Sequence, residues 1–329
     1  DLNGSNPLTF IDEELGWPQD IVFLADQNEV LISNLSTNRI TKYNATTGAY
    51  IEDFATVPGG PTRMELDSNG VLWVLQWSLT DNNVLRFTAA DGTPLAPFTT
   101  TGVPRGIGLD WDSSGNLYVS SYSQGNVTQY DSAGNLVGEY VDNTELAGPT
   151  NIYFDDSDQL FVFDWSAGDV ELFDNTGAYL TRHISGLNQV EGVDFLPNGN
   201  VLLGNGGTAE VKQYTPAGTF VENTVTASSG GLIQPNAVVL FDRETLSVPQ
   251  NEVATTVFMT PSMGSVFTLN AQAISAFSGV GVYDTAGKRV RQISEEQTTW
   301  DASQLTEGIY FVVGVRNGKK TTQKIIVQK

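Results

Sequence analysis

Cysteine is absent from the 329 residues, histidine occurs once, at His183, and lysine is scarce. Without cysteine there is no disulfide, no thiolate metal ligand and no thiol nucleophile. A single histidine also weighs against a histidine-based zinc site and a Ser-His-Asp triad, each of which needs imidazole at the reacting centre. No run of about 18 apolar residues occurs, so no transmembrane helix is expected. No long stretch repeats its apolar residues with the 3.6-residue period of an amphipathic helix. The chain opens at Asp1 with neither methionine nor an apolar leader, which suggests a trimmed form of an exported protein.

What is present is β-rich and acidic. Gly, Asn, Thr, Ser and Val are abundant, and the formal charge is -22. The charge is uneven: residues 1–245 carry 8 basic against 32 acidic side chains, and residues 246–329 carry 8 against 6. That break predicts two domains, 1–245 and 246–329, the second starting somewhere between 246 and 271. An acidic body repels nucleic acid and anionic membrane, because phosphate is bound by Lys and Arg. It suits solubility in a salty exterior, or the binding of a divalent cation such as Ca2+ through carboxylate oxygens.

The first domain is repetitive. "PQDIVFL" at Pro18, "PTRMELD" at Pro61, "PRGIGLD" at Pro104, "PTNIYFD" at Pro149, "VEGVDFL" at Val190 and "PNAVVLF" at Pro235 follow one another at steps of 43, 43, 45, 41 and 45. After the first five come turn-and-strand segments such as "DSNGVLWV" and "DSSGNLYV", then a second turn with glycine at Gly48, Gly92, Gly134, Gly177 and Gly218. Asx and Gly residues between alternating apolar runs are hairpin signals. Each unit therefore reads as four antiparallel strands, which is the blade of a β-propeller. Six heads predict six blades, with a five-bladed or incomplete ring possible because the sixth unit is short of strands. "NPLTFID" could supply that unit's outermost strand, and residues 241–270, where "FMTPSMGSVF" imitates "YTPAGTFV", its middle ones. These units resemble NHL-type repeats and the related gluconolactonase and streptogramin-lyase propellers. The resemblance implies the fold more than any activity, since propellers serve lyases, lactonases, adhesins and scaffolds; streptogramin-lyase chemistry relies on histidine and loses support here.

The second domain has another pattern. "VGVYDTAGKRVRQI" and "LTEGIYFVVGVRNGKKTTQKIIVQK" give short alternating strands with turns near Gly287, Gly308 and Gly318. An immunoglobulin-like β-sandwich is expected. Three motifs, carried by Tyr283, Asp284, Gly287 and Lys288, by Gly308 and Tyr310, and by Gly318, Lys324, Ile325, Ile326, Val327 and Lys329, closely resemble the type A sorting domain of the type IX secretion system of Bacteroidetes. An upstream Tyr-Pro-Asn-Pro motif of that family is reduced here to "FMTP". The resemblance implies export to the periplasm, then outer-membrane passage through the type IX machinery to the cell surface or exterior, often with cleavage of the domain.

Residues just after each head should face the propeller axis. Asp20, Arg63, Arg105, Asn151, Glu191 and Asn236 are the candidates to line that funnel. In gluconolactonase-like propellers a Glu, Asn and Asp set binds a divalent cation, and the resemblance implies that Glu191, Asn151 and Asn236 could hold Ca2+ for a lactonase-like hydrolysis. The alternative is a wet channel in which Arg-carboxylate pairs hold the blades together. The leading expectation is a binding module for an extracellular glycan, peptide or protein; a purely structural surface component is the third. Trp77 is the tryptophan best placed for stacking on a ligand, the others being expected between blades.

Overall fold

In the computed structural model, residues 4, 6–241, 257–285, 287–294, 296–316 and 319–329 are described. The chain separates into two compact units, Asp1–Leu246 and Ser247–Lys329.

The first unit is a ring of antiparallel sheets. The first blade consists of β1 (Pro18–Leu24), β2 (Glu29–Asn34), β3 (Arg39–Asn44) and β4 (Tyr50–Thr56), and the second of β5 (Pro61–Leu66), β6 (Val71–Gln76) and β7 (Leu85–Thr88). The third contains β8 (Gly106–Trp111), β9 (Leu117–Ser121), β10 (Asn126–Tyr130) and β11 (Leu136–Val141). The fourth contains β12 (Pro149–Phe154), β13 (Leu160–Asp164), β14 (Asp169–Phe173) and β15 (Tyr179–Ile184), and the fifth β16 (Val190–Phe195), β17 (Val201–Asn205), β18 (Glu210–Tyr214) and β19 (Phe220–Val225). The second blade's outer edge is reduced to a bridge between Phe87 and Pro94. Its sequence there is "TPLAPF", and proline cannot donate to a ladder.

Apolar residues from facing sheets fill the gaps between blades. Leu31, Ile40 and Phe54 of the first blade pack with Leu72 and Val74 of the second, and similar clusters join the later neighbours. Side-chain hydroxyls stitch the inner strands: Ser33 donates to the Thr62 carbonyl and Thr62 to the Gly106 carbonyl, both at 2.7 Å, and Thr150 to the Val190 carbonyl at 2.9 Å.

The sixth sector departs from a regular blade. Residues 235–241 form no regular strand, but they occupy an inner position between the fifth blade and the first. The Leu240 N–H donates to Asp194, the Asn236 amide donates to the Pro18 carbonyl at 3.1 Å, and Phe241 stacks on Phe23 with centroids 3.8 Å apart. The segment before Trp17 also lies here, without a regular strand. Phe10 and Phe241 both pack against the buried cluster of Val30, Ile32, Tyr43 and Ala45. A Cβ on Gly48 would meet the Phe10 carbonyl, as one on Gly92, Gly134, Gly177 or Gly218 would meet that of Phe54, Phe98, Tyr140 or His183 at the edge of the preceding blade. Phe10 therefore stands where an outermost strand would be. The expected middle strands fall partly on 242–256, outside the described residues. Their remaining candidate, "FMTPSMGSVF", belongs to the second unit instead, where Phe258 and Phe267 are fully buried.

That second unit is a sandwich of two sheets. One holds β20 (Met259–Thr260), β22 (Val266–Leu269) and β25 (Thr299–Asp301), and the other β21 (Met263–Gly264), β27 (Lys319–Val327), β26 (Gly308–Arg316), β23 (Ser278–Tyr283) and β24 (Arg289–Gln292) in that order. A short helix, α1 (Ala271–Ser275), is capped by the Asn270 side chain. Phe258, Phe267, Trp300, Val312, Ile325 and Val327 share the core. In β27 Ile325 and Val327 point inward while Lys324 is exposed, the alternation a one-sided strand requires. The Tyr310 hydroxyl donates to the Thr306 carbonyl at 2.9 Å, and Asp284 accepts from the Lys288 N–H, closing the "YDTAGK" turn. Gly318 lies outside the described residues.

Candidate functional site

Every regular inner strand carries a bulge just after its start, between Pro18 and Asp20, Pro61 and Met64, Gly106 and Gly108, Pro149 and Ile152, and Val190 and Val193. A bulge re-aims the side chains beside it. Asp20, Arg63 and Glu191 are brought together in this way from three blades. Arg63 Nη1 lies 3.1 Å from Asp20 Oδ1, and Arg63 Nη2 lies 3.6 Å from Glu191 Oε1; all three side chains are more than nine-tenths buried. Burial raises the Asp20 pKa, opposed by Arg63 and by hydrogen bonds from the Met64 and Ile21 N–H groups. Burial, opposed by Arg63 and reinforced by Asp20, pushes Glu191 up to about 7. Glu191 Oε1 has no hydrogen-bond partner, nor do Arg63 Nε and Nη2 or Asn236 Oδ1.

Asn151 and Asn236 are also buried at the axis. Asn151 Oδ1 accepts from the Ile152 N–H at 3.0 Å, and the Asn236 amide is engaged with Pro18. Arg105 is placed elsewhere. In the third blade the residue paired like Pro61 with Gln76, or Pro149 with Asp164, is Gly106, opposite Ser121. Arg105 therefore precedes the inner strand, with φ 52°, and its guanidinium carbon sits 5.3 Å from the Trp77 ring centroid at the rim. Among the described residues no three His, Cys, Asp or Glu side chains are grouped so as to hold a metal ion.

Above the charged triad lies a cavity of about 160 Å3 lined by Trp17, Trp77, Tyr122, Trp165, Leu35, Ile107, Gln19, Thr150, Glu191, Gln234 and Asn236. Its aromatic collar comes from one repeat position. Leu35, Trp77, Tyr122, Trp165 and Gly206 each follow the second strand of a blade, and each N–H donates to the carbonyl of the residue before the inner strand: Trp17, Gly60, Arg105, Gly148 and Gln189. Trp77 and Tyr122 have centroids 5.4 Å apart, and Tyr122 and Trp165 6.0 Å. Trp17 is 60% exposed at the rim. Trp73 and Trp111, by contrast, pack edge to face at 5.2 Å between blades. Trp17 and Trp165, expected between blades, line the cavity instead, and Tyr122 was not singled out by the sequence; the column that follows "VLWVLQ", "LYVSS" and "LFVFD" is the signal that holds Tyr122 and Trp165 with Trp77.

The opposite side of the triad opens on a second cavity of about 460 Å3, with Glu65, Asp110 and Asp194 on its wall. Asp20, Asp110 and Asp194 are inter-blade staples. Their carboxylates accept from the Met64, Phe154 and Leu240 N–H groups of the next inner segment, linking the first blade to the second, the third to the fourth and the fifth to the sixth. Burial pushes Glu65 up to about 7, helped by Asp20 and Asp110. His183 lies in the outermost strand of its blade against Phe161, and burial lowers its pKa. The turn carboxylates are engaged locally: Asp67 accepts from the Asn69 and Val71 N–H groups, and Asp155 from those of Ser157 and Gln159.

Residues 257–328 match the family described as a secretion system C-terminal sorting domain. This is the type IX sorting domain, so the chain is secreted cargo directed to the cell surface or the extracellular space. Among the described residues no helix is long and apolar enough to cross a membrane. The propeller is similar to solved structures. One titled as a nidogen/laminin complex has TM-score 0.55 and 18% identity over 67% of this chain and 84% of that one. A putative gluconolactonase has TM-score 0.56 and 15% identity over 67% and 81%. An auxiliary nutrient binding protein from Bacteroides ovatus has TM-score 0.50 and 15% identity over 61% and 56%. At such identities the likeness is one of fold. No curated protein sequence matches the chain.

Proposed function

We propose that the propeller is an extracellular binding module whose ligand seats in the aromatic collar, the sorting domain serving to deliver it. One observation carries this reading: side chains from all five regular blades and the sixth sector converge on a cavity of about 160 Å3 whose lining includes Glu191 and Asn236, each with a buried acceptor oxygen without a hydrogen-bond partner. A concave, mostly apolar site with a few convergent polar groups is the usual form of a small-ligand pocket. Burying an acceptor without a partner costs about 1–3 kcal/mol, which a ligand can offset.

A divalent cation fits these residues poorly. The positive charge between Asp20 and Glu191 is already supplied by Arg63, and Asn151 Oδ1 is occupied by its neighbour's N–H. When ionised, Asp20, Arg63 and Glu191 together carry one net negative charge, so a divalent cation would leave a net positive charge in a buried site. Calcium-dependent lactonase chemistry is therefore the weaker reading.

Titration of the full chain with small glycans, amines, peptides and aldonolactones, followed by tryptophan fluorescence, tests the proposal. Saturable binding that Trp165→Ala weakens, with the ligand recovered unchanged, supports a binding module. Stoichiometric Ca2+ uptake with Glu191-dependent lactone hydrolysis would overturn it.

A further inference from the structure

We infer that the collar is a site for a small organic ammonium ion carrying N–H donors, its alkyl part among the faces of Trp17, Trp77, Tyr122 and Trp165 and its donors on Glu191 and Asn236. The inference rests on the binding-module reading and supplies its ligand class.

Three observations bear on it. First, the unpaired polar atoms among the residues lining this cavity, Glu191 Oε1 and Asn236 Oδ1, are both acceptors on residues only 5% and 6% exposed. A ligand that satisfies them must donate. A sugar hydroxyl both donates and accepts, and would look for donors as well; an ammonium group has donors only. Second, the walls are electron-rich rings, whose faces attract a cation most strongly when water is excluded. The chain already uses one ring in this way, with Arg105 over Trp77. Third, residues 1–245 carry 8 basic against 32 acidic side chains, a field that gathers cations and turns anions away.

The triad below explains why this carboxylate, and not Asp20, meets the ligand. Asp20 is 3.1 Å from Arg63 and accepts two backbone hydrogen bonds, from Ile21 and Met64. Glu191 is held 3.6 Å from the same guanidinium with Oε1 unbonded. One carboxylate is committed to the fold, and the other retains capacity for a donor.

The experiment uses the full chain at pH 8, above the Glu191 value of about 7, with three probes: n-butylammonium, its uncharged analogue n-butanol, and methyl α-glucoside. Calorimetric titration should give one n-butylammonium site, with n-butanol bound at least about tenfold more weakly. Glu191→Gln keeps size and removes charge, and should weaken n-butylammonium by about tenfold. Trp17→Ala, at an exposed rim position, should fold normally and weaken binding several-fold. Equal binding of n-butylammonium and n-butanol overturns the inference, as does unchanged affinity in Glu191→Gln. Tighter binding of the glucoside than of n-butylammonium overturns the ammonium assignment and leaves the binding module standing. Failure of every ligand class, including those tested above, removes both.

Discussion

The Arg63 guanidinium stands 3.1 Å from Asp20 but stops 3.6 Å from Glu191, so one buried cation serves two carboxylates unequally. Buried charge persists only when compensated. Arg63→Met should therefore leave two carboxylates facing each other near the axis, and removing one partner of a buried ion pair typically costs about 3–5 kcal/mol. Urea unfolding at pH 7 measures it. The loss should shrink at pH 5, where protonation relieves the repulsion, and a variant as stable as the parent at pH 7 would show that the triad is not a structural plug.

Glu191 gives a pH dependence of definite sign. Its folded value, about 7, lies above the ordinary 4.5, so between those values the native chain holds a proton that the unfolded chain has released. Its contribution is fully present below about pH 4.5 and is lost as pH rises through 7. The shift corresponds to about 3 kcal/mol. Unfolding midpoints from pH 5 to 8 should fall in the parent chain and fall less in Glu191→Gln. Glu65 moves in the same direction, but it is exposed on the wall of the larger cavity, where solvent screens its share. A parent and a Glu191→Gln variant with parallel pH profiles would contradict this assignment.

The two kinds of tryptophan should separate by stability. Trp73 is 9% exposed, and its indole N–H donates to Asp67 at 3.1 Å. Trp73→Ala should cost about 3–5 kcal/mol, as large-to-small changes in a core do. Trp17 is 60% exposed, and Trp17→Ala should change stability by less than about 0.5 kcal/mol. Thermal melts of the two variants decide the point; comparable losses would mean that the collar is ordinary packing.

Local signals carried most of the fold. Proline heads, Asx-Gly turns and alternating strands are properties of short windows, and they are legible as blades because each blade is built from contiguous chain. The terminal Ile325 and Val327 were legible as a core strand for the same reason. What escaped depended on pairing between distant residues. Pro104 looked like a head, yet the strand begins two residues later, and only the partnership of Gly106 with Ser121 reveals it. That offset moved Arg105 from the funnel to the rim. The collar column holds leucine, tryptophan, tyrosine, tryptophan and glycine in successive blades, so nothing in its chemistry repeats. Radial closure alone makes it one site. "FMTPSMGSVF" imitated a blade turn, but Phe258 and Phe267 are needed beside Trp300, and a hydrophobic pair does not state in advance which core it will enter.

Ring closure at the amino-terminal end makes the last prediction. Gly48 has φ 74°, and a Cβ there would come within 1.9 Å of the Phe10 carbonyl oxygen. Gly48→Ala should therefore destabilise the propeller by two separable effects: about 1 kcal/mol of left-handed backbone strain, and a larger steric cost that exists only while Phe10 is in place. Removing residues 1–12 abolishes the second effect and not the first. In a double-mutant cycle the substitution should cost less in the shortened chain than in the full one, with a coupling of 0.5 kcal/mol or more, the range found for residues in contact. The shortened chain should itself be less stable, because the partly buried Phe10 and Ile11 no longer pack against the cluster of Val30, Ile32, Tyr43 and Ala45. Equal costs of Gly48→Ala in the two backgrounds would mean that Phe10 does not hold the outer position of the sixth sector in solution, and that the ring is closed by residues 235–241 alone.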